Sequence, residues 1–144
     1  MTIRPWKFED ILAISEMEKE CFPQEPWTYS MLAESFGNEN FTGIVCEDEG
    51  EIRGYGGITV GYDTADIDNI AVAENFRCGG IGGAILEALV AVAREKGMSR
   101  VFLEVRVSNA EAMKLYLNHF FKGVYARTRY YTNGEDCLVM AREL

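Results

Sequence analysis

The chain has 144 residues, with Lys+Arg 14 against Asp+Glu 23 for a net charge of −9, and 48% hydrophobic and 26% charged residues. These are the proportions of a soluble globular protein, long enough to build a core without a metal or disulfide staple. The acidic balance excludes a nucleic-acid binder that works by neutralising phosphates, and it suits a partner carrying positive charge, such as an amine or a basic peptide.

The four cysteines, Cys21, Cys46, Cys78 and Cys137, have no metal-finger spacing, and His119 is the single histidine. No metal site is therefore expected. The opening Met1-Thr2-Ile3-Arg4-Pro5-Trp6-Lys7 has no apolar signal region, and no apolar run approaches the roughly 20 residues that span a bilayer. The expectation is a cytoplasmic protein with reduced thiols and no membrane partner.

In chain order, the first strand is expected at Ile3 to Trp6, then a helix from about Phe8 whose apolar residues include Ile11, Leu12 and Ile14. Pro23 and Pro26 break that helix, since each disfavours helix in the residue before it. Thr28 is an N-cap candidate for a short second helix ending near Gly37. Strands follow at Phe41 to Glu47 and Ile52 to Val60, a hairpin about Asp48-Glu49-Gly50-Glu51, with a third at Ala65 to Val72. A helix from about Gly80 to Lys96 carries Ile81, Ile85, Leu89 and Val92 on one face, and Gly97 stops it. Val101 to Val107 is a strand, Ala110 to about His119 a helix, and the tail from Val124 a hairpin closed at Asn133-Gly134. The order βααβββαβαββ is an α/β (α+β) layout around one mixed sheet. No repeat or linker interrupts it, so residues 1–144 read as one domain.

The most informative stretch is Asn69-Ile70-Ala71-Val72, then Arg77-Cys78-Gly79-Gly80-Ile81-Gly82-Gly83, then the strongest amphipathic helix. A strand runs into a glycine-crowded turn that opens a helix. Such a turn lets backbone approach a ligand, and its N–H groups with the helix dipole favour a pyrophosphate. An ordinary tight turn has the same glycine content. The dinucleotide fingerprint fails, because its third glycine would fall at Ile85, and the Walker pattern fails for want of Gly-Lys-Ser/Thr. What remains is R-x-x-G-x-G, carried by Arg77, Gly80 and Gly82.

This segment resembles the coenzyme A pyrophosphate loop of the GCN5-related N-acetyltransferase (GNAT) superfamily, and the element order is that family's over essentially the whole chain. Pro26-Trp27-Thr28, Asn69-Ile70-Ala71-Val72, Leu103 to Asn109, Leu115-Tyr116 and Arg129-Tyr130-Tyr131 further resemble the RimI-type ribosomal-protein-alanine N-acetyltransferases. The resemblance implies a GNAT fold with a mostly antiparallel sheet, and acetyl-CoA as co-substrate. It also implies transfer to a protein N-terminal amine, an alanine of a small-subunit ribosomal protein, by direct attack in a ternary complex. A small amine or lysine acceptor, or a non-catalytic coenzyme A module, are the alternatives.

By alternation Phe102, Glu104 and Arg106 share one strand face, so Glu104 reads as a solvent-facing residue paired with Arg106. The resemblance instead makes Glu104 the general base and Tyr116 the general acid for the departing thiolate. The cofactor-binding residues it implies are Ile70, Ala71, Val72, Arg77, Cys78, Gly79, Gly80, Ile81, Gly82, Gly83 and Asn109. Asn109 is also a natural N-cap. Trp27, Tyr130 and Tyr131 would line the acceptor groove, or simply pack a loop on a hairpin. Arg127 and Arg129 read as a solvated strand face.

Two departures from the family pattern stand out. Cys78, Gly79 and Gly83 occupy positions where cations and polar side chains are common, shifting cofactor binding onto backbone N–H groups and Arg77. His119-Phe120-Phe121 replaces the usual Leu-Gly-Phe. A left-handed phenylalanine costs roughly 1–2 kcal/mol, so the helix is expected to end differently. A covalent acyl-enzyme on Cys78 is disfavoured, since no base is evident beside it.

Overall fold

A computed structural model describes residues 1–77 and 79–144. Cys78 lies outside the described residues. The strands are β1 (Thr2–Pro5), β2 (Phe41–Asp48), β3 (Glu51–Val60), β4 (Thr64–Val72), β5 (Arg100–Arg106), β6 (Lys122–Arg127) and β7 (Cys137–Glu143). The helices are α1 (Ile11–Cys21), α2 (Tyr29–Phe36), α3 (Ile81–Glu95) and α4 (Ala110–Asn118). The sheet order is β1-β2-β3-β4-β5-β7-β6. Among the described residues only β4 and β5 pair in parallel, as the α3 crossover between them requires.

The expected element order stands, with three local corrections. Phe8–Asp10 is a 3-10 turn ahead of α1, because the Asp10 carboxylate is held by Arg4 (2.8 and 3.0 Å) and by the Lys7 N–H (2.7 Å). The last hairpin begins at Lys122 and is not closed by a two-residue turn. Residues 128–136 form its loop, and Gly134 (φ 83°) sits in a turn within it, donating its N–H to the Tyr131 carbonyl at 2.8 Å. The third correction is the end of α4.

There Phe120 does adopt the left-handed conformation, φ 68°. The Phe121 N–H donates to the Tyr116 carbonyl (3.0 Å) and the Phe120 N–H to that of Leu117 (3.2 Å). The rings of Tyr116 and Phe121 pack at 6.1 Å between centroids. This is a complete Schellman cap with its apolar contact. Its hydrogen bonds and the burial of Phe121 offset the steric penalty that argued against it.

Strand alternation divides the core between two faces of the sheet. Val45, Tyr55 and Ala71 meet Ile11, Ile14, Met17 and Leu32 of α1 and α2. On the other face Ile44, Cys46, Ile58 and Ile67 meet Ile81, Ile85, Leu86 and Leu89 of α3. Helix α3 comes so close that a Cβ on Gly56 would lie 2.6 Å from Ile85 Cγ2, and one on Gly54 would lie 2.8 Å from Ile81 Cγ2. Glycine in β3 is therefore a packing requirement of α3. No described helix is long and apolar enough to cross a membrane, and Cys21, Cys46 and Cys137 are free thiols.

Candidate active site

The site begins where the sheet parts. β4 and β5 pair from Thr64↔Arg100 to Ile67↔Leu103 and no further. On the other side of β4 the register with β3 jumps from Ile58↔Ile67 to Gly57↔Asn69, leaving Asp68 as the extra residue of a bulge. A bulge bends its strand, and beyond this one β4 turns away from β5. The Ala73 N–H donates to the Arg53 carbonyl at 2.9 Å. Alternation then turns the backbone polar groups of Ala71 toward β3 and those of Ile70 and Val72 toward the gap.

Glu104 is the β5 residue just past the last parallel pair, on the exposed face. Its Oε1 accepts a hydrogen bond from the Tyr130 hydroxyl at 3.2 Å, and its Oε2 lies 3.4 Å from Arg127 Nε. The expected pairing with Arg106 does not occur. Arg106 instead stacks over the Tyr131 ring at 3.9 Å, and that ring meets Tyr130 edge-on at 5.1 Å. Arg127 thus flanks the carboxylate from the exposed face of β6, as a solvated strand residue, whereas Arg129 lies past the strand in the loop. Glu104 in turn raises the Tyr130 hydroxyl above its ordinary range, chiefly through its charge.

Tyr116 reaches the same gap from α4, whose start Asn109 caps by accepting the Ala112 N–H at 3.1 Å. Its side chain is buried, and burial pushes the phenol up to about 12. At neutral pH the phenol keeps its proton. Asp68 is pushed up to about 6, first by burial and less by the charges of Asp66 and Glu104, against a 2.5 Å bond from the Thr59 hydroxyl. Two carboxylates, Asp68 and Glu104, thus line one wall, an arrangement that attracts a cationic amine.

The turn before α3 faces the other end of the gap. Gly80 has φ 87°, and no side chain among the described residues caps the helix start, which leaves the first N–H groups of α3 open to a ligand or solvent as far as those residues go. Arg77 is turned toward β4: its Nε donates to the Val72 carbonyl at 3.1 Å and its Nη2 to Cys21 Sγ at 3.5 Å. Gly82 and Gly83 have a packing reason as well. A Cβ on Gly83 would lie 2.8 Å from His119 Nε2, and one on Gly82 would lie 3.3 Å from Leu115. The two departures at 83 and 119 are therefore one: an imidazole occupies the space the glycine vacates. It is anchored there by a 2.6 Å contact between Nδ1 and Glu87.

Two cavities, of about 920 and 700 Å³, meet along Cys21, Phe22, Ile70, Asn109, Ala112 and Tyr116. The first holds Trp27, Glu104, Tyr130 and Tyr131. The second holds Ala71, Val72, Arg77, Gly80, Gly82 and Gly83. Ile81 and Gly79 are the exceptions among the described residues: the Ile81 side chain is in the core under β3, so only its backbone can face a ligand. Gly79 lines neither cavity. Sequence reasoning missed Arg127 as a partner of Glu104, Asp68, and the buried Glu18. It also missed Glu25, which spans the rim by accepting from Thr132 Oγ1 at 2.5 Å. The alternation of Asp66 and Asp68 was visible in the sequence, but only the β4–β5 register, with Asp66 opposite Phe102, sets Asp68 on the face of Glu104.

The geometry is that of two cavities sharing one wall, with a carboxylate and a buried phenol beside it. The acetyltransferase (GNAT) family model matches residues 11–120, and the chain belongs to that family of N-acetyltransferases. It is 37% identical over 140 residues to a Bacillus subtilis (strain 168) protein with the provisional name ribosomal protein bS18-alanine N-acetyltransferase, covering 96% of this chain and 92% of that one. It is 32% identical to an N-alpha-acetyltransferase of Sulfurisphaera tokodaii, covering 99% and 92%. The crystal structure of the Escherichia coli ribosomal-protein-S18-alanine N-acetyltransferase superposes with a TM-score of 0.89 at 30% identity, covering 99% and 92%.

Proposed function

We propose that the protein transfers the acetyl group of acetyl-CoA to the N-terminal amine of a protein, an N-terminal alanine of a small-subunit ribosomal protein. The observation that carries this is the convergence of Glu104 and Tyr116 on one cavity at the parting of β4 and β5. Acetyl-CoA, when bound, supplies a thioester carbonyl as electrophile. The uncapped α3 start from Gly79 to Gly83, with Cys78 and Arg77 beside it, would hold the pyrophosphate. Ile70, Ala71, Val72 and Asn109 would hold the pantetheine arm.

Glu104 takes the proton of the acceptor ammonium, directly or through water, because only the neutral amine has a lone pair. The ammonium competes with Arg127 for that carboxylate. Tyr116 gives its proton to the departing sulfur, and burial keeps that proton in place until then. Trp27, Tyr130 and Tyr131 bound the acceptor end. A backbone N–H of the β4 edge would stabilise negative charge developing on the carbonyl oxygen.

The test is mass spectrometry of a peptide panel with acetyl-CoA. Peptides beginning Ala-Arg should gain one acetyl group on the α-amine, while free polyamines and internal-lysine peptides should not. Equal acetylation of the polyamines would make a small amine the acceptor instead. Retained turnover in Cys78→Ala is expected for direct attack, and a trapped acetyl-cysteine would contradict it.

A further inference from the structure

Glu18, on the last turn of α1, is fully buried. No basic side chain among the described residues pairs with it. A carboxylate in such a place costs stability unless its oxygens are satisfied, and here two separate segments satisfy them. Oε1 accepts the Trp27 N–H at 2.8 Å, in the loop that walls the acceptor pocket. Oε2 accepts from the Asn69 side-chain amide at the β4 bulge. Asn69 Oδ1 in turn accepts the Ile70 N–H at 3.0 Å, a group on the gap side of β4. One carboxylate therefore ties the acceptor loop to the strand edge across the opening.

We infer that Glu18 is a positioning residue: through the Trp27 N–H and the Asn69 amide it holds the acceptor loop and the β4 bulge at the spacing that transfer requires. This rests on the function proposed above. The remaining polar groups around it do not supply the same tie. The Tyr55 hydroxyl is buried with no partner among the described residues, and the Cys21 thiol is directed to the Val72 carbonyl at 3.7 Å. A carboxylate is required by donor counting. With two acceptor oxygens it meets two donors, whereas a glutamine would set its own NH₂ against the NH₂ of Asn69. Turning Asn69 over relieves that clash only by removing the acceptor from the Ile70 N–H.

The same counting supplies the experiment. Assayed at a pH alkaline enough to keep both carboxyls ionised, E18Q and N69D each break the chain of bonds, the first by opposing two donors and the second by opposing two carboxylates. The double variant E18Q/N69D restores every bond with one polarity reversed. The introduced glutamine donates its NH₂ to the introduced aspartate, whose other oxygen accepts the Ile70 N–H. Assayed well below each variant's own melting midpoint, the single variants should lose about tenfold or more in kcat/KM for an Ala-Arg peptide. The double variant should return to within about threefold of the parent. A purely structural role would lower the midpoints and leave kcat/KM of the folded enzyme unchanged. Parent-like rates in either single variant, or a double variant no better than the worse single, would overturn the inference.

Should a single variant fail to fold, amide exchange on the parent decides the matter. The Trp27 N–H, which lies outside any helix or strand, should exchange about a hundredfold more slowly than the N–H groups of Gln24 and Glu25. Exchange as fast as theirs overturns the inference. A parent that acetylates no peptide defeats the proposed function, while the exchange measurement still reads Glu18 independently.

Discussion

Glu104 sits in company that its sequence neighbours did not announce. The alternation of β5 correctly exposes it, but its partners Arg127 and Tyr130 come from β6 and the loop beyond, 23 and 26 residues downstream in the sequence. Only the β5-β7-β6 pairing brings them there. Glu104→Gln should reduce turnover by about 10²–10⁴, roughly 3–5 kcal/mol of barrier, with the loss narrowing at alkaline pH where more of the acceptor is already neutral. Tyr116→Phe should lower turnover similarly while calorimetry finds acetyl-CoA affinity little changed. Near-parental rates in both variants would remove the assigned roles.

Glu18 carries a second, thermodynamic signature. Burial pushes its carboxyl from the ordinary 4.5 up to about 7, against the opposing Trp27 hydrogen bond. The folded state thus holds this proton more tightly than the unfolded chain. Its contribution to stability is fullest below pH 4.5, falls as pH rises through the folded value, and is gone above it. Denaturant titrations from pH 4.5 to 8 should show the parent losing roughly 2–4 kcal/mol relative to E18Q over that range. Tyr55 and Cys21 both feel the Glu18 charge, so their titration should shift in E18Q as well. A pH-independent difference would mean that the carboxyl is solvated.

Among the elements, α3 and its preceding turn are the most legible, because a 3.6-residue apolar period and a glycine at each end leave few alternatives. Thr28 is equally plain, and its hydroxyl does cap α2, accepting the Met31 N–H at 3.2 Å. The bulge at Asp68 is not legible. An extra residue in one strand is defined by the partner strand, and nothing local in Asp66 to Asn69 records it. The close of the last hairpin is misleading in sequence, because Asn-Gly marks a turn without saying whether strands continue on both sides. At the end of α4, the backbone cost of Phe120 alone predicts a different ending, whereas the burial of Phe121 decides the cap. Phe120→Gly keeps that cap and removes the strain, so it should raise stability by about 1 kcal/mol in thermal or denaturant unfolding. A loss would show that the contact between Arg142 and the Phe120 ring, 5.4 Å from guanidinium to centroid, outweighs the strain.

For the molecule as a whole, acidity and an acceptor amine belong together. The net charge of −9 repels the phosphates of the donor while drawing in a basic N-terminus. On the proposed function, donor binding leans on short-range backbone N–H groups, and acceptor binding on the longer-ranged field. Raising ionic strength should accordingly increase KM for an Ala-Arg peptide several-fold while KM for acetyl-CoA changes less or falls. Equal rises in both would deny this division.

The ladder that joins the two halves of the sheet ends after four residue pairs, 64–67 against 100–103. Strands β1 to β4 form a wing on one side of that short ladder, and β5 to β7 form a wing on the other. Past Leu103 the ladder between β4 and β5 is over, so side chains and helices limit how far the wings spread. A molecule lodged between them would touch both wings at once, and its occupancy would add the cross-links that the backbone ladder stops supplying.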